Sequence, residues 1–270
     1  MNRGRGLGPV FEWLGWQVTG RLFGERKYHW LNGTSFIAKP GMHGITHSIP
    51  TGLGEFQDMG FALHFLRPGD LFVDVGANVG AYSLLAHAIG AKALAIEPAS
   101  AAREILQRNA QLNGHDIEIF AGAAGDREGR AFLTTDRNTC NRIAESGEEI
   151  EIATLDSLLK GRAAQFIKID VEGFETPVID GALETLKTCP AVTIEMNEHG
   201  RDFAYDEQVL HERMLAMGYT PCRYHPLDRR IEQLAGQNPE ANNTLYLRDP
   251  EEAQKTVRAA PQFLVRNRLI

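Results

Sequence analysis

Cysteine is scarce in this chain: there are three in 270 residues, Cys140, Cys189 and Cys222. They are odd in number, widely spaced and without a C-x-x-C pair, which excludes a disulfide framework and a cysteine zinc site and fits a reducing cytoplasm. Long apolar runs are missing as well. The stretch 7–22 is broken by Gly8, Pro9, Glu12, Gly15, Gln17 and Thr19, so it offers neither a signal-peptide core nor a membrane span. Phe11, Trp13, Leu14 and Trp16 make a small apolar face there, expected to pack onto the core rather than onto a membrane surface. Nor is there a surplus of positive charge. Lys and Arg number 28 against 35 Asp and Glu, a formal net charge of -7, so no global field draws in a phosphate backbone and no nucleic-acid partner is expected.

The composition that remains, 43% hydrophobic and 23% charged, is that of a globular protein able to bury a sizeable core. Residues 1–54 are Gly-rich with scattered aromatics and no sustained period, and read as an N-terminal extension or cap with turns at Asn32-Gly33 and Pro40-Gly41. A core follows over 55–250, and 251–270 are set apart as a C-terminal tail. Within the core, helical spacing from Glu55 to Leu66 stops at Pro68-Gly69. Strands at 71–75, 93–96 and 117–120 then alternate with helices at 81–89 and 101–112. That β-α-β-α-β order predicts an α/β fold with a mostly parallel sheet covered on both faces. An antiparallel excursion is expected at 130–135 and 149–154. Further strands follow at 166–169, 191–194 and 244–247, with Thr176-Pro177 opening one helix and 206–217 forming another.

Chemistry concentrates at the strand ends. The first strand runs through Asp74 into Gly76, Ala77, Asn78 and Gly80 and then into a helix, a loop of bare backbone N–H groups on which a nucleotide-like cofactor can lie. The two glycines alone fit a tight turn equally well. Glu97 ends the second strand, where a carboxylate accepts hydrogen bonds from ribose hydroxyls of NAD or S-adenosylmethionine alike. Asp74 separates the two: a carboxylate beside the loop repels a pyrophosphate but suits a cofactor with an ammonium and a sulfonium. Asn78 and Ala81 also stand where a dinucleotide fingerprint has glycines. S-adenosylmethionine is therefore favoured over a nicotinamide.

The chain resembles the FkbM-type methyltransferases over roughly residues 55–200. The likeness lies in Phe72-Val-Asp-Val-Gly-Ala-Asn-Val-Gly80, Glu97-Pro98, Thr154-Leu-Asp-Ser-Leu158 and above all Ile167-Lys-Ile-Asp-Val-Glu-Gly-Phe-Glu175. It implies a Rossmann-like class I methyltransferase fold, a seven-stranded sheet with an antiparallel last strand. It also implies O-methylation of a small-molecule hydroxyl acceptor such as a sugar or a polyketide-type natural product. Ala99 and the segment 138–147 depart from the family pattern. Glu55 matches a position where the family keeps an acid near the donor, and is equally a helix N-terminal acid. Asp170 stands where such enzymes keep a group facing the methionine end or the acceptor. Asp170, Glu172, Glu195, Asn197, Glu198 and His199 share one rim, outside the carboxyl ends of the strands.

An alcohol needs its proton removed, so a base or a metal ion is called for. His199 is a candidate base or a solvated loop histidine, Glu172 a second catalytic candidate or a cap, and Glu175 a structural acid. Lys168 faces the same side as Asp170 and is placed to pair with it. Pro98, Ala123, Ala124 and Asp126 edge the adenine side, Asp126 also fitting a turn. Mg²⁺ on oxygen ligands is a lesser expectation, and no oligomeric state follows. Alternatives are a protein or nucleic-acid methyltransferase, for which no amide-binding Asn/Asp-Pro-Pro-Tyr tetrad is found, and a non-catalytic cofactor-binding scaffold.

Overall fold

The computed structural model describes residues 24–39, 42, 45–134, 143–144, 146–197, 200, 203, 205–266 and 268–270. Pro40, Gly41, His43, Glu198, His199 and the 11–16 aromatics fall outside them. The described residues begin with an antiparallel hairpin, β1 (Arg26–His29) and β2 (Ser35–Ala38). Its turn carries Asn32 (φ 45°) and Gly33 (φ 77°), the left-handed conformations that the Asn-Gly pair supplies at low cost. Two short helices lead into the core, α1 (Ser48–Thr51) and α2 (Phe56–Phe65).

The central sheet is assembled from β3 (Leu71–Val75), β4 (Lys92–Ile96), β5 (Glu118–Phe120), β10 (Phe166–Ile169), β11 (Ala191–Glu195), β12 (Thr220–His225), β13 (Arg230–Gln233) and β14 (Asn243–Leu247). Its spatial order is β13-β12-β14-β11-β10-β3-β4-β5. β5, β4, β3, β10 and β11 are mutually parallel, and β14 enters antiparallel between β11 and β12. This is the expected seven-stranded sheet with an antiparallel last strand, extended by an eighth strand, β13, at one edge. Side chains alternate between two cores. Phe72, Ala93, Ala95, Phe166 and Ala191 face one, beneath α2 and α3 (Ala81–Ala88). Val73, Leu94, Ile96, Ile167, Val192 and Ile194 face the other, and both are closed to water. Strands buried on both faces are why β3, β4 and β10 read as nearly unbroken apolar runs.

Helix α4 (Ser100–Asn113) ends where the left-handed Gly114 returns its N–H to the carbonyls of Ala110 and Gln111. The excursion is a four-stranded sheet in the order β6-β9-β7-β8, from β6 (Gly122–Ala124), β7 (Gly129–Leu133), β8 (Ile143–Ala144) and β9 (Glu148–Ala153). The antiparallel β7 and β9 are where the sequence places them. β6, parallel to β9, is additional. α5 (Leu155–Leu159), α6 (Glu175–Asp180), α7 (Leu183–Thr188) and α8 (Glu207–Ala216) complete the second layer.

One expectation needs correcting. Thr176 does not cap a helix: α6 begins one residue earlier, and Glu175 turns back to accept from the amides of Val171 (3.1 Å) and Gly173 (3.2 Å). The segment 251–270 folds as the rest of α9 (Pro250–Arg258) and a hairpin of β15 (Leu264–Val265) and β16 (Arg268–Leu269). It buries Val257, Phe263, Val265 and Ile270 in the first core. Among the described residues no helix is long and apolar enough to cross a membrane.

Candidate functional site

The chain winds outward from β3 through β4 to β5, then returns to build β10 and β11 on the other side. Adjacent strands leave in opposite directions between β3 and β10, the place where open α/β sheets bind ligands. A cavity of about 350 Å³ opens there. Glu55, Asp74, Gly76, Ala77, Asn78, Glu97, Pro98, Ala124, Asp170 and Glu172 all line it. Gly80 does not. It caps α3 at φ 89°, and a Cβ on it would sit 2.9 Å from Leu106 Cγ, so this glycine serves helix packing.

Gly76 is required by close approach. Its φ is 77°, and a Cβ would lie 1.8 Å from the Asp170 carbonyl oxygen. The β3 and β10 ends can touch only because no side chain intervenes. The amides of Gly76 and Ala77 both donate to the Ile96 carbonyl at 3.0 Å. Asn78 follows in the left-handed conformation (φ 52°), which Asn tolerates better than most residues and which explains it where a nucleotide fingerprint has Gly. Its amide donates to Glu97 Oε2 and that of Ala99 to Glu97 Oε1, each at 2.7 Å. Burial pushes the Glu97 carboxyl up to about 7 against these two bonds.

Asp74 is 1% exposed. Its Oδ2 accepts from the Ser83 amide (3.0 Å) and hydroxyl (2.7 Å), while Oδ1 is buried without a partner. Burial raises its carboxyl, opposed by Lys168 and the Ser83 bonds. Lys168 is its register neighbour on β10 and sends Nζ to Asp170 Oδ2 at 2.9 Å. Burial alone would lower that ammonium, but Asp170, Asp74 and Glu55 hold it charged, well above the ordinary lysine range. It also lies 5.2 Å from the centre of the Tyr82 ring.

Glu55 is held from two sides. The Tyr82 hydroxyl donates to its Oε2 at 2.5 Å, and Asn243 Nδ2 donates to the same oxygen and to Asp58 Oδ2, each at 3.2 Å. Burial, and then the Glu55 charge, push Asp58 up to about 7.

On the opposite rim Asp170, Glu172 and Glu195 each place an oxygen within 4.8 Å of the others. Glu172 sits there with φ 56°. Burial and the proximity of Asp170 and Glu172 raise Glu195 well above the carboxylate range, and Asn197 Nδ2 donates to its Oε2 at 2.9 Å. The arrangement brings one buried cation among several acids, so part of the cluster carries protons at neutral pH. Sequence reasoning missed Tyr82, Asp58 and Asn243. Tyr82 and Asp58 carry only helical spacing, and Asn243 is joined to Glu55 across 188 residues. Ile45, His47 and Met59, from the extension and α2, also line the cavity.

Among solved structures, the C-terminal domain of precorrin-6Y C5,15-methyltransferase from Rhodobacter capsulatus is 15% identical, covering 72% of this chain and 88% of that one, with a TM-score of 0.40. A tRNA (uracil-54, C5)-methyltransferase of Pyrococcus abyssi, in complex with S-adenosyl-L-homocysteine, is 13% identical over 83% of this chain and 43% of its own, with a TM-score of 0.45. A rRNA methylase from Streptococcus thermophilus is 12% identical, over 70% and 91%, with a TM-score of 0.41. No curated protein sequence matches. The Methyltransferase FkbM domain matches residues 74–221, more than half of the chain and the whole stretch from Asp74 through Glu97 and Asp170 to Glu195. The chain belongs to the FkbM methyltransferase family.

Proposed function

We propose that this methyltransferase moves the methyl group of S-adenosylmethionine to a hydroxyl oxygen of a small molecule, a sugar or a polyketide-type compound. The observation that carries the cofactor reading is the buried, unpartnered Asp74 Oδ1 on the wall of a cavity shared with the glycine loop and Glu97. A buried carboxylate oxygen without a donor calls for a cationic or N–H-bearing group. Asp74 and Glu55 supply acids for an ammonium. Glu97 keeps lone pairs beyond its two amide bonds for ribose hydroxyls. Ala99, Ala102, Ala123, Ala124 and Leu133 give an apolar wall for adenine, and Pro98 edges it.

S-adenosylmethionine, when bound, supplies a carbon activated by positive sulfur. The chain's part is alignment and proton management. Asp170, paired with Lys168 and still partly open to the cavity, accepts the acceptor's hydroxyl proton. His199, outside the described residues, is the alternative base, and Glu172 borders the same space. Glu195 holds its proton and can donate a hydrogen bond to the acceptor. The reading contains no Mg²⁺, and transfer is expected to continue in EDTA. The net charge of -7 supports a small acceptor over nucleic acid. The free thiols of Cys189 and Cys222 support a cytoplasmic setting.

The test is transfer of labelled methyl from S-adenosylmethionine to a panel of hydroxylated sugars and polyketides, with RNA and protein in parallel. Methyl ethers on a small alcohol are expected. Labelling of RNA or protein alone would overturn the acceptor reading, and binding of S-adenosylhomocysteine with no transfer to any acceptor would favour a scaffold.

A further inference from the structure

Helix α4 carries two asparagines one turn apart, Asn109 and Asn113, on the face that meets the N-terminal hairpin. Residues four apart on a helix and two apart on a strand repeat at about 6 Å and about 6.7 Å, so two such side chains can follow the edge of a strand. They do. Asn113 Oδ1 accepts from the Ser35 amide and its Nδ2 donates to the Ser35 carbonyl, both at 2.7 Å. Asn109 Oδ1 accepts from the Ile37 amide at 2.8 Å. Its other end differs: Nδ2 turns away from the hairpin and donates, at 2.9 Å, to the carbonyl of Val79 in the loop between Gly76 and Gly80.

Asn109 is fully buried and stands in a helix interior, where asparagine is a poor helix former. Here each end of its amide satisfies a main-chain group that would otherwise lack a partner. The side chain is a direct polar link between the hairpin and the loop, and among the described residues none of β1 or β2 lines the cavity.

We infer that Asn109 is a positioning residue that makes the N-terminal hairpin part of the cofactor site, by tying the docking of β2 at Ile37 to the shape of the loop at Val79. This rests on the reading that the loop holds S-adenosylmethionine. The adjacent Asn113 supplies an internal control, since it holds the hairpin and touches no part of the loop. Asn109→Ala removes the bonds to Ile37 and Val79 together, whereas Asn113→Ala removes bonds to the hairpin alone, so an effect on Kd confined to Asn109→Ala belongs to the loop bond.

Calorimetry with S-adenosylhomocysteine on the full chain tests this. Asn109→Ala should raise Kd about tenfold, the equivalent of about 1.4 kcal/mol. Asn113→Ala should lower the melting temperature while leaving Kd within about twofold of the parent. Equal Kd for the parent and Asn109→Ala, or an equal rise in both variants, overturns the coupling. A second measurement needs no variant. Amide exchange at Ile37 should slow when S-adenosylhomocysteine is added, and unchanged exchange overturns the coupling as well. If the unaltered chain does not bind S-adenosylhomocysteine, the cofactor reading falls and this inference with it. Normal binding with indifferent variants removes the inference alone.

Discussion

At Asp74 one carboxylate oxygen is bonded twice by Ser83 and the other not at all. A ligand ammonium that completes this set gains a charge-assisted bond in a dry site, so Asp74→Asn should weaken S-adenosylhomocysteine binding by about 1–3 kcal/mol, and Glu97→Ala by a similar amount. Unchanged Kd in both variants, by calorimetry, would count decisively against the cofactor site. The pH dependence has a definite sign. Burial raises the Asp74 carboxyl and takes Glu97 to about 7, so lowering the pH through that value protonates Glu97 and weakens its hold on the ribose hydroxyls. Affinity should therefore rise between about pH 5.5 and about pH 7.5, and the rise should flatten in Glu97→Gln. These two acids were legible in the sequence because each ends an apolar strand at a fixed distance from the glycines. Their supports were not: Ser83 and Tyr82 look like ordinary positions of a helix until the fold sets them around one point. Lys168 was legible as a charge inside an apolar run facing Asp170, the pair that the structure forms, but not as the neighbour of Asp74. Its replacement by Met should cost about 3 kcal/mol in urea unfolding, because Asp170 and Asp74 would be left near one another without a counter-ion.

The elements themselves were legible wherever burial imposes a period. The parallel strands and their helices appear within a residue or two of where alternation and glycine stops place them. The parts that were not read share a physical cause. β12 has Pro221 next to its start and β13 is mostly polar, so neither shows the apolar alternation of a buried strand. The hairpin β1–β2 was legible as short strands about the Asn32-Gly33 turn, but the three hydrogen bonds that it shares with asparagine side chains on α4 are invisible to local pattern. The glycine loop yields the sharpest element-scale expectation. Gly76 and Gly69 both have positive φ (77° and 89°), but a Cβ at Gly69 meets nothing within 4 Å whereas one at Gly76 runs into the Asp170 carbonyl. Gly69→Ala should therefore cost about 1 kcal/mol, the strain of the left-handed region alone. Gly76→Ala should exceed about 3 kcal/mol and abolish S-adenosylhomocysteine binding, because β3 and β10 must separate. Similar unfolding midpoints for the two variants would show that the strand ends are not held in contact.

Across the described residues the buried ionisable groups oppose one another, and their balance sets how stability depends on pH. Burial lowers His64 and His115 to about 4, so the unfolded chain binds more protons than the fold between about 4 and about 6.5, and stability rises with pH over that window. Burial raises Asp58, Glu97 and Glu175 to about 7 and Glu195 further, so there the fold binds more protons than the unfolded chain, and stability falls as pH climbs from the ordinary carboxylate range through those values. The two trends partly cancel at acidic pH. Above about 6.5 the histidines have nothing more to contribute and only the acids act. The half-buried Glu232, held down to about 2 by His225 and the neighbouring arginines, finishes titrating far below this range. The ligand-free chain should therefore melt several degrees lower at about pH 8 than at about pH 6. Glu195→Gln and Glu97→Gln, which cannot ionise, should each flatten the alkaline side. S-adenosylhomocysteine should raise the melting temperature most at that side, where its ammonium meets ionised acids. A melting temperature that keeps climbing from about pH 6 to about pH 8 in the free protein would mean that these carboxyls are not held protonated by the fold, and that the cavity does not carry the excess of acid on which cation selection depends.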